Sequence, residues 1–280
     1  MNPSLINSMV TMHGLQQKLD VLANNMANLN TAGYKRKEAT FEDILNNVKQ
    51  QPQSFQKEGR LSPLGYTQGW GAKLSQVQTD LSQGTLNPTG LDTDLALEGG
   101  ALFELQTPDG ETAYTRNGAF ELTVNPNDPT NVYLATKDGN YIKGVDNLPI
   151  KVPAGMKMVV DEGGVVTAFR ESDPASGSVP VGQLKLVRVI RPAYLQEVGD
   201  NLYTVPAGLN NPPGSIVRDV NPASPLEEKV AVRQGYLEQS NVSLSDEMTE
   251  LLTVQRAFQL TSRAVSSSDM MMNMANNLRG

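Results

Sequence analysis

The chain has 280 residues, no cysteine and one histidine, with 30 acidic against 23 basic side chains and a formal net charge of −7. Those numbers exclude disulfides, thiolate metal sites and cysteine nucleophiles, and they argue against a nucleic-acid partner, which needs a basic stripe. With 39% hydrophobic and 5% aromatic residues, a Val/Leu-rich core in one large or two ordinary domains is within reach, while no apolar run is long enough to span a membrane.

The first predicted element is a helix, with Asn2 as its cap and Pro3 at its first position, running to about Leu29. Its large apolar side chains fall at Leu5, Met9, Met12, Leu15, Leu19, Leu22, Met26 and Leu29, close to a heptad stripe. Asn30, Thr31, Ala32 and Gly33 end it, with Gly33 available for a left-handed stop. Burying such side chains gains about 2 kcal/mol each, and ordering the backbone costs about 1–2 kcal/mol per residue. The stripe therefore needs a partner: the other end of the chain, a neighbouring copy, or both. No basic region precedes a continuous apolar stretch, so no cleavable secretory signal is expected.

Phe41, Ile44, Leu45 and Val48 next predict a short helix. Residues 51–72 read as an extended polar arm punctuated by Pro52, Gly59, Pro63, Gly65, Gly69 and Gly71, and they contain Trp70. A loop of that length is often functional, here for contact with a neighbour. From 73 to 235 the pattern is that of a mostly β outer domain in one or two lobes. Its antiparallel strands are expected at 102–106, 113–116, 119–124, 132–136, 157–160, 165–169, 183–190, 201–205 and 229–233. Asp109-Gly110, Asn117-Gly118 and Asp138-Gly139 are turn signals, and the Pro-rich stretch 206–225 reads as a connection. The last helix should begin near Ser243 or Ser245 and end near Arg279, with Asp246 and Glu247 in its first turn. Its seam is read as Leu244, Met248, Leu251, Phe258, Val265 and Met272, with Gln255, Ser262 and Asp269 between. The fold class is thus a mainly β centre flanked by long terminal helices that pair as a coiled-coil-like domain from 1–50 and 236–280.

Chemistry finds few groups. His13 lies inside the first helix with no second histidine, so a metal or Ser-His-Asp site is not expected. Asp92, Asp94 and Glu98 lack the spacing of a calcium loop. Gly65, Gly69 and Gly71 precede Lys73 but lack the Lys-Ser/Thr pair of a phosphate loop. Lys35, Arg36 and Lys37, followed by Glu38, read as a solvated loop. No catalytic residue, cofactor or metal is nominated.

Three segments carry a resemblance. The run Leu22 to Lys35, including Asn24, Asn25, Ala27, Asn28, Asn30, Thr31, Gly33 and Tyr34, resembles the N-terminal signature of bacterial flagellar axial proteins, which form the rod and hook. The run Gln234 to Val242, with Ser240 and Asn241, together with Gln255, Arg256, Ala257 and Phe258, is similar to their C-terminal signature. Asp94 to Gly99 and Tyr114 to Phe120 resemble the centre of rod and hook proteins. The length and the arm at 51–72 resemble those of the distal-rod type, the FlgG/FlhP group.

The resemblance implies a structural subunit of the flagellar basal body, not an enzyme, placed outside the cytoplasmic membrane. It implies unfolded export through the flagellar type III apparatus and terminal helices that pair on joining the rod. It further implies a hollow axial tube carrying torque from motor to hook. Partners would be the protein itself and other rod and hook proteins, with no nucleic acid and no membrane insertion. The expected self-assembly interface is Leu15, Leu19, Leu22, Met26, Leu29, Met248, Leu251, Phe258 and Val265. A proximal rod or hook protein is the alternative within the family. From another class, a secreted cell-wall glycan-processing enzyme needs only two carboxylates.

Overall fold

The structure, a computed structural model, describes residues 3–50, 65–125, 128–170, 178–199, 201–206, 215–220 and 230–278. The predicted cap Asn2, most of the predicted arm and much of the 206–225 connection lie outside these residues. Among the described residues, α1 (Pro3–Ala27) and α2 (Leu244–Asn277) bracket a mainly antiparallel β region. None of these helices is long and apolar enough to cross a membrane.

In chain order the strands are β1 (Lys37–Gln50), β2 (Gly65–Thr79), β3 (Leu86–Pro88), β4 (Leu95–Glu98), β5 (Ala101–Gln106), β6 (Thr112–Thr115), β7 (Phe120–Asn125), β8 (Asp128–Thr136), β9 (Tyr141–Ile142) and β10 (Lys151–Pro153). They continue with β11 (Lys157–Val160), β12 (Val165–Phe169), β13 (Val179–Gln183), β14 (Leu186–Val189), β15 (Gln196–Gly199), β16 (Leu202–Thr204), β17 (Val217–Val220), β18 (Ala231–Gln234) and β19 (Tyr236–Glu238). The expected strands at 157–160 and 165–169 occur with those limits. The expected strand 183–190 divides into β13 and β14, and β17 lies inside the expected connection.

The helix expected around Phe41–Val48 is corrected: those residues stand in β1, which pairs with β2. A run with apolar residues at 41, 44, 45 and 48 fits one face of a helix, but so short a run does not separate helix from strand. Pairing with β2 satisfies the backbone instead, and Thr40 Oγ1 and Ser75 Oγ add cross-strand bonds to the Gln76 carbonyl and the Glu42 carboxylate. Residues 65–72 of the expected arm begin β2.

The chain divides into two compact units. Unit 1 holds residues 1–27, 37–78 and 243–280; unit 2 holds 28–36 and 79–242. Residues 28–36 and 236–242, which adjoin the helices in sequence, thus belong by contact to the β unit.

Unit 2 is built on a ten-stranded sheet with the path β10-β8-β9-β5-β6-β16-β15; β14 and β17 extend it from β5, and β7 pairs with β8. β11, β12 and β13 form a second sheet. Alternation along β5 explains the layering. Ala101, Phe103 and Leu105 point into the main core with Leu134, Ile142, Val166, Leu184 and Leu186. Leu102 points to the other face, where it meets Val187 and Tyr203. Phe103 and Phe120 meet edge to face, ring centres 5.2 Å apart at 87°, the arrangement favoured by the ring quadrupoles. The late strands close onto the early ones: β18 pairs with β4 and β19 with β3. Val230 and Val232 thereby join the core.

Candidate assembly sites

In unit 1, α2 lies against α1. Lys18 Nζ is 2.5 Å from Glu250 Oε1, and Asn25 Nδ2 donates to Glu247 Oε2 at 3.2 Å. Rising numbers on one helix meet falling numbers on the other, so the two run antiparallel. Of the expected α1 interface, Leu22 is buried, while Leu15, Leu19, Met26 and Leu29 are half-buried. On α2, Leu251, Phe258 and Val265 are half-buried.

Met248, by contrast, is 49% exposed. The most covered row of α2 is Glu247, Val254 and Ser268, with Leu251, Phe258, Thr261 and Val265 beside it. That row is turned by about one residue from the one the apolar pattern selects at Met248, Gln255, Ser262 and Asp269. A second apolar row, Met248, Leu252, Leu260, Met271 and Met274, remains exposed. At 3.6 residues per turn Leu252, Leu260, Met271 and Met274 fall on the side away from the covered row, with Met248 about a quarter turn from it. Gln255 and Arg256 are exposed as well, and so is His13.

The family-signature segments come together in unit 2. Lys35, Arg116 and Glu238 are 1%, 3% and 2% exposed. Lys35 Nζ donates to Glu238 Oε1 at 2.7 Å and to the Ser82 carbonyl. Arg116 Nε donates to Glu238 Oε2, and its other guanidinium nitrogens reach the carbonyls of Leu97, Gly99 and Ala101. Glu238 Oε1 also accepts from the Gly84 amide at 2.7 Å. Two cations share one carboxylate, and backbone carbonyls take the remaining donors. Burial is the main influence on the Lys35 ammonium and pulls its pKa below the usual lysine range, with Glu238 opposing it. The solvated loop expected at 35–37 is thus corrected at Lys35, whose charge is enclosed because it has a buried partner 203 residues away.

Around the cluster the backbone is stitched across the same segments. Gly33 N–H donates to the Glu238 carbonyl at 2.8 Å, and Gln239 N–H to the Thr85 carbonyl at 2.8 Å. Arg36 N–H donates to Asn241 Oδ1 at 2.7 Å, and Asn241 Nδ2 reaches the Asp80 and Ser82 carbonyls. Gly33 does not end α1: it lies six residues beyond Ala27, with φ +70°. A methyl group there would sit 2.4 Å from the Asn117 amide nitrogen, and one at Gly118 would sit 1.5 Å from the Leu95 carbonyl oxygen. Asn117-Gly118 is therefore a packing site and not a hairpin turn. Tyr34 and Val242 are buried; Asn28, Thr31 and Ser240 are half-buried; Asn24, Ala27 and Asn30 are exposed.

The carboxylates considered for catalysis do not converge on a cleft. Glu98 is half-buried, with its carboxylate open to solvent and paired with Arg233 at 3.0 Å, whereas Asp94 is buried where its backbone bridges to Ala119. Gly65, Gly69, Gly71 and Lys73 stand in β2. Among the described residues no group of acidic or histidine side chains could hold a metal. The cavity beside Lys35, Leu81, Arg116 and Val189 offers about 10 Å³, room for one water. Sequence alone does not mark Lys35, Arg116 and Glu238 as a cluster. The available signal was three ionisable residues inside the three signature segments.

Models of flagellar axial proteins match all three segments. The flagella basal body rod protein model covers residues 6–35, the D1 domain model of flagellar hook protein FlgE/F/G covers 96–168, and the C-terminal model of flagellar basal body rod FlgEFG protein covers 233–278. The chain is 34% identical to flagellar basal-body rod protein FlgG of Borreliella burgdorferi, over 94% of each chain. It is 32% identical to FlgG of Bacillus subtilis, over 99% of this chain and 98% of that one. To the flagellar hook-basal body complex protein FlhP of the same organism it is 29% identical, over 99% of each. The fold and its terminal segments are those of a flagellar axial protein, a structural class and not an enzymatic one. Within it, the chain belongs to the FlgG family of flagellar basal-body rod proteins.

Proposed function

We propose that the chain is a distal-rod subunit that joins copies of itself, and other flagellar rod and hook proteins, through its terminal helices. The assembly is a hollow axial tube that carries torque from motor to hook. One observation carries this reading: with α2 already against α1, the row Met248, Leu252, Leu260, Met271 and Met274 is still uncovered. Such a face on a charged, monomeric surface is a liability. In a helical array it is buried by a neighbour, in a heterologous contact that does not close.

The helices, read as a coiled-coil-like assembly domain, form the inner tube. The β region forms the outer layer. Delivery is by unfolded passage through the flagellar export apparatus, without cleavage.

Sedimentation of the purified full chain against concentration tests the assembly surface. Leu260→Asp should remain monomeric where the unmodified protein polymerises, with an unchanged helical circular-dichroism signal. Equal polymerisation of both, and normal motility of cells carrying Leu260→Asp, would sink the reading. Limited proteolysis of the dilute protein gives a second check: cutting that starts within the two helices, with survival of a fragment near 28–242, is expected for a helical pair that neighbours stabilise further.

A further inference from the structure

We propose that Glu238 is the closing element of unit 2, so that the folding of this unit waits for residues 238–241 and is timed by the C-terminal part of the chain. Three segments meet at the cluster, residues 33–36, 80–85 and 238–241, with Arg116 beneath them. Everything that Glu238 ties lies before it in sequence. Lys35 is 203 residues earlier and Arg116 is 122 earlier.

A chain lacking Glu238 holds two cations at buried positions and no side-chain anion between them. Enclosing unpaired charge costs far more than leaving it in water. The core around Ala101 and Leu97, whose carbonyls bind Arg116, therefore cannot close first and recruit the carboxylate afterwards. The backbone adds to this dependence. Gly84 packs so tightly that a methyl group on it would sit 2.1 Å from the Gln239 carbonyl oxygen. β18 and β19 also supply the pairing edges for β4 and β3.

The ordering has a use that rests on the rod reading: a subunit threaded to its assembly site N-terminus first stays open until nearly all of it has passed. The ordering itself is a property of the isolated chain and is tested on it. Full-length protein and its Glu238→Gln variant would be refolded from urea, with pulsed hydrogen exchange reading the Phe103 and Leu105 amides. A contact made in the rate-limiting step appears in the folding rate and not in the unfolding rate. Glu238→Gln should slow refolding about 10-fold or more while unfolding changes less than about 3-fold.

Should Glu238→Gln fail to fold, Asn241→Ala gives the same comparison, because it removes only the bonds to residues 36, 80 and 82. Its refolding should slow while its unfolding stays the same. Unchanged refolding with faster unfolding, in either variant, overturns the proposal. Failure of the unmodified chain to polymerise would count against the rod reading and would leave these rates untouched.

Discussion

Asn25 and Glu247, 222 residues apart in sequence, are hydrogen-bonded to each other with both side chains fully buried. Asn25 also holds the start of β1, giving its Nδ2 to the Lys37 carbonyl and its Oδ1 to the Lys37 amide, each at 2.9 Å. A buried polar pair of this kind fixes register between helices. Asn25→Ala should lower the stability of the helical unit by about 2–3 kcal/mol, because it removes the hydrogen bond to the buried Glu247 carboxylate and both bonds to the Lys37 backbone. Site-resolved hydrogen exchange would show faster opening of α1 and α2 while Phe103 and Leu134 in unit 2 keep their protection.

The two sides of α2 should answer differently to the same change. Val254 is 5% exposed on the α1-facing row, so Val254→Asp buries a charge and should separate the helices, with a loss of about 3 kcal/mol or more. Thermal melting followed by circular dichroism reads that loss directly. Met248→Asp sits on the open side and should change the melting midpoint little while still blocking polymerisation.

Sterics at Gly118 give a sharper contrast. Gly118→Ala forces a methyl group to 1.5 Å from the Leu95 carbonyl oxygen and should abolish folding of unit 2 or cost more than about 4 kcal/mol. Gly139 has φ +84° but open space around it, so Gly139→Ala should cost only about 1–2 kcal/mol. Urea midpoints of the two variants check the order.

The pH response of Lys35 has a definite sign. Burial lowers its folded pKa below the ordinary 10.5, so the folded state holds the proton less tightly than the unfolded state. The resulting penalty is complete below the folded pKa and disappears as the pH rises toward 10.5. The stability of the unmodified protein, measured relative to Lys35→Met, should therefore rise on going from neutrality to alkaline pH. Urea unfolding of both proteins across that range is the measurement, and a flat or falling difference contradicts the assignment.

Glu98→Gln should be mild. The Glu98–Arg233 pair is exposed on both sides, and such pairs contribute about 1 kcal/mol or less. Motility and melting temperature should both stay near those of the unmodified chain.

The sequence shows the terminal helices and most of the strands because they rest on local periodicity and Asp-Gly turns. On α2 the apolar stripe and the row facing α1 differ in phase for a physical reason. Apolar spacing selects Met248 and passes over Glu247, yet Glu247 is the covered residue because Asn25 satisfies it. Met248 lies about a quarter turn round, at the edge of a second apolar surface, and a helix with two such surfaces gives no single answer to a search for one stripe. Lys35 fails for the same reason. A lysine beside an arginine and another lysine reads as surface, and its partner lies 203 residues away, beyond any local pattern. β1 was legible only as an apolar segment, since its strand conformation depends on β2.

The antiparallel run of α1 against α2 places the first residues of one helix and the last turns of the other at the same end of the pair. Topologically, the chain's order of synthesis is then only one of several that the same contacts permit. A short linker joining those two ends, with the chain reopened at the exposed Lys137–Asp138 turn, would give a circular permutant in which Glu238 precedes Lys35 and Arg116. In that permutant the carboxylate would await its cations, and the N-terminal half of the present chain would be the last to arrive.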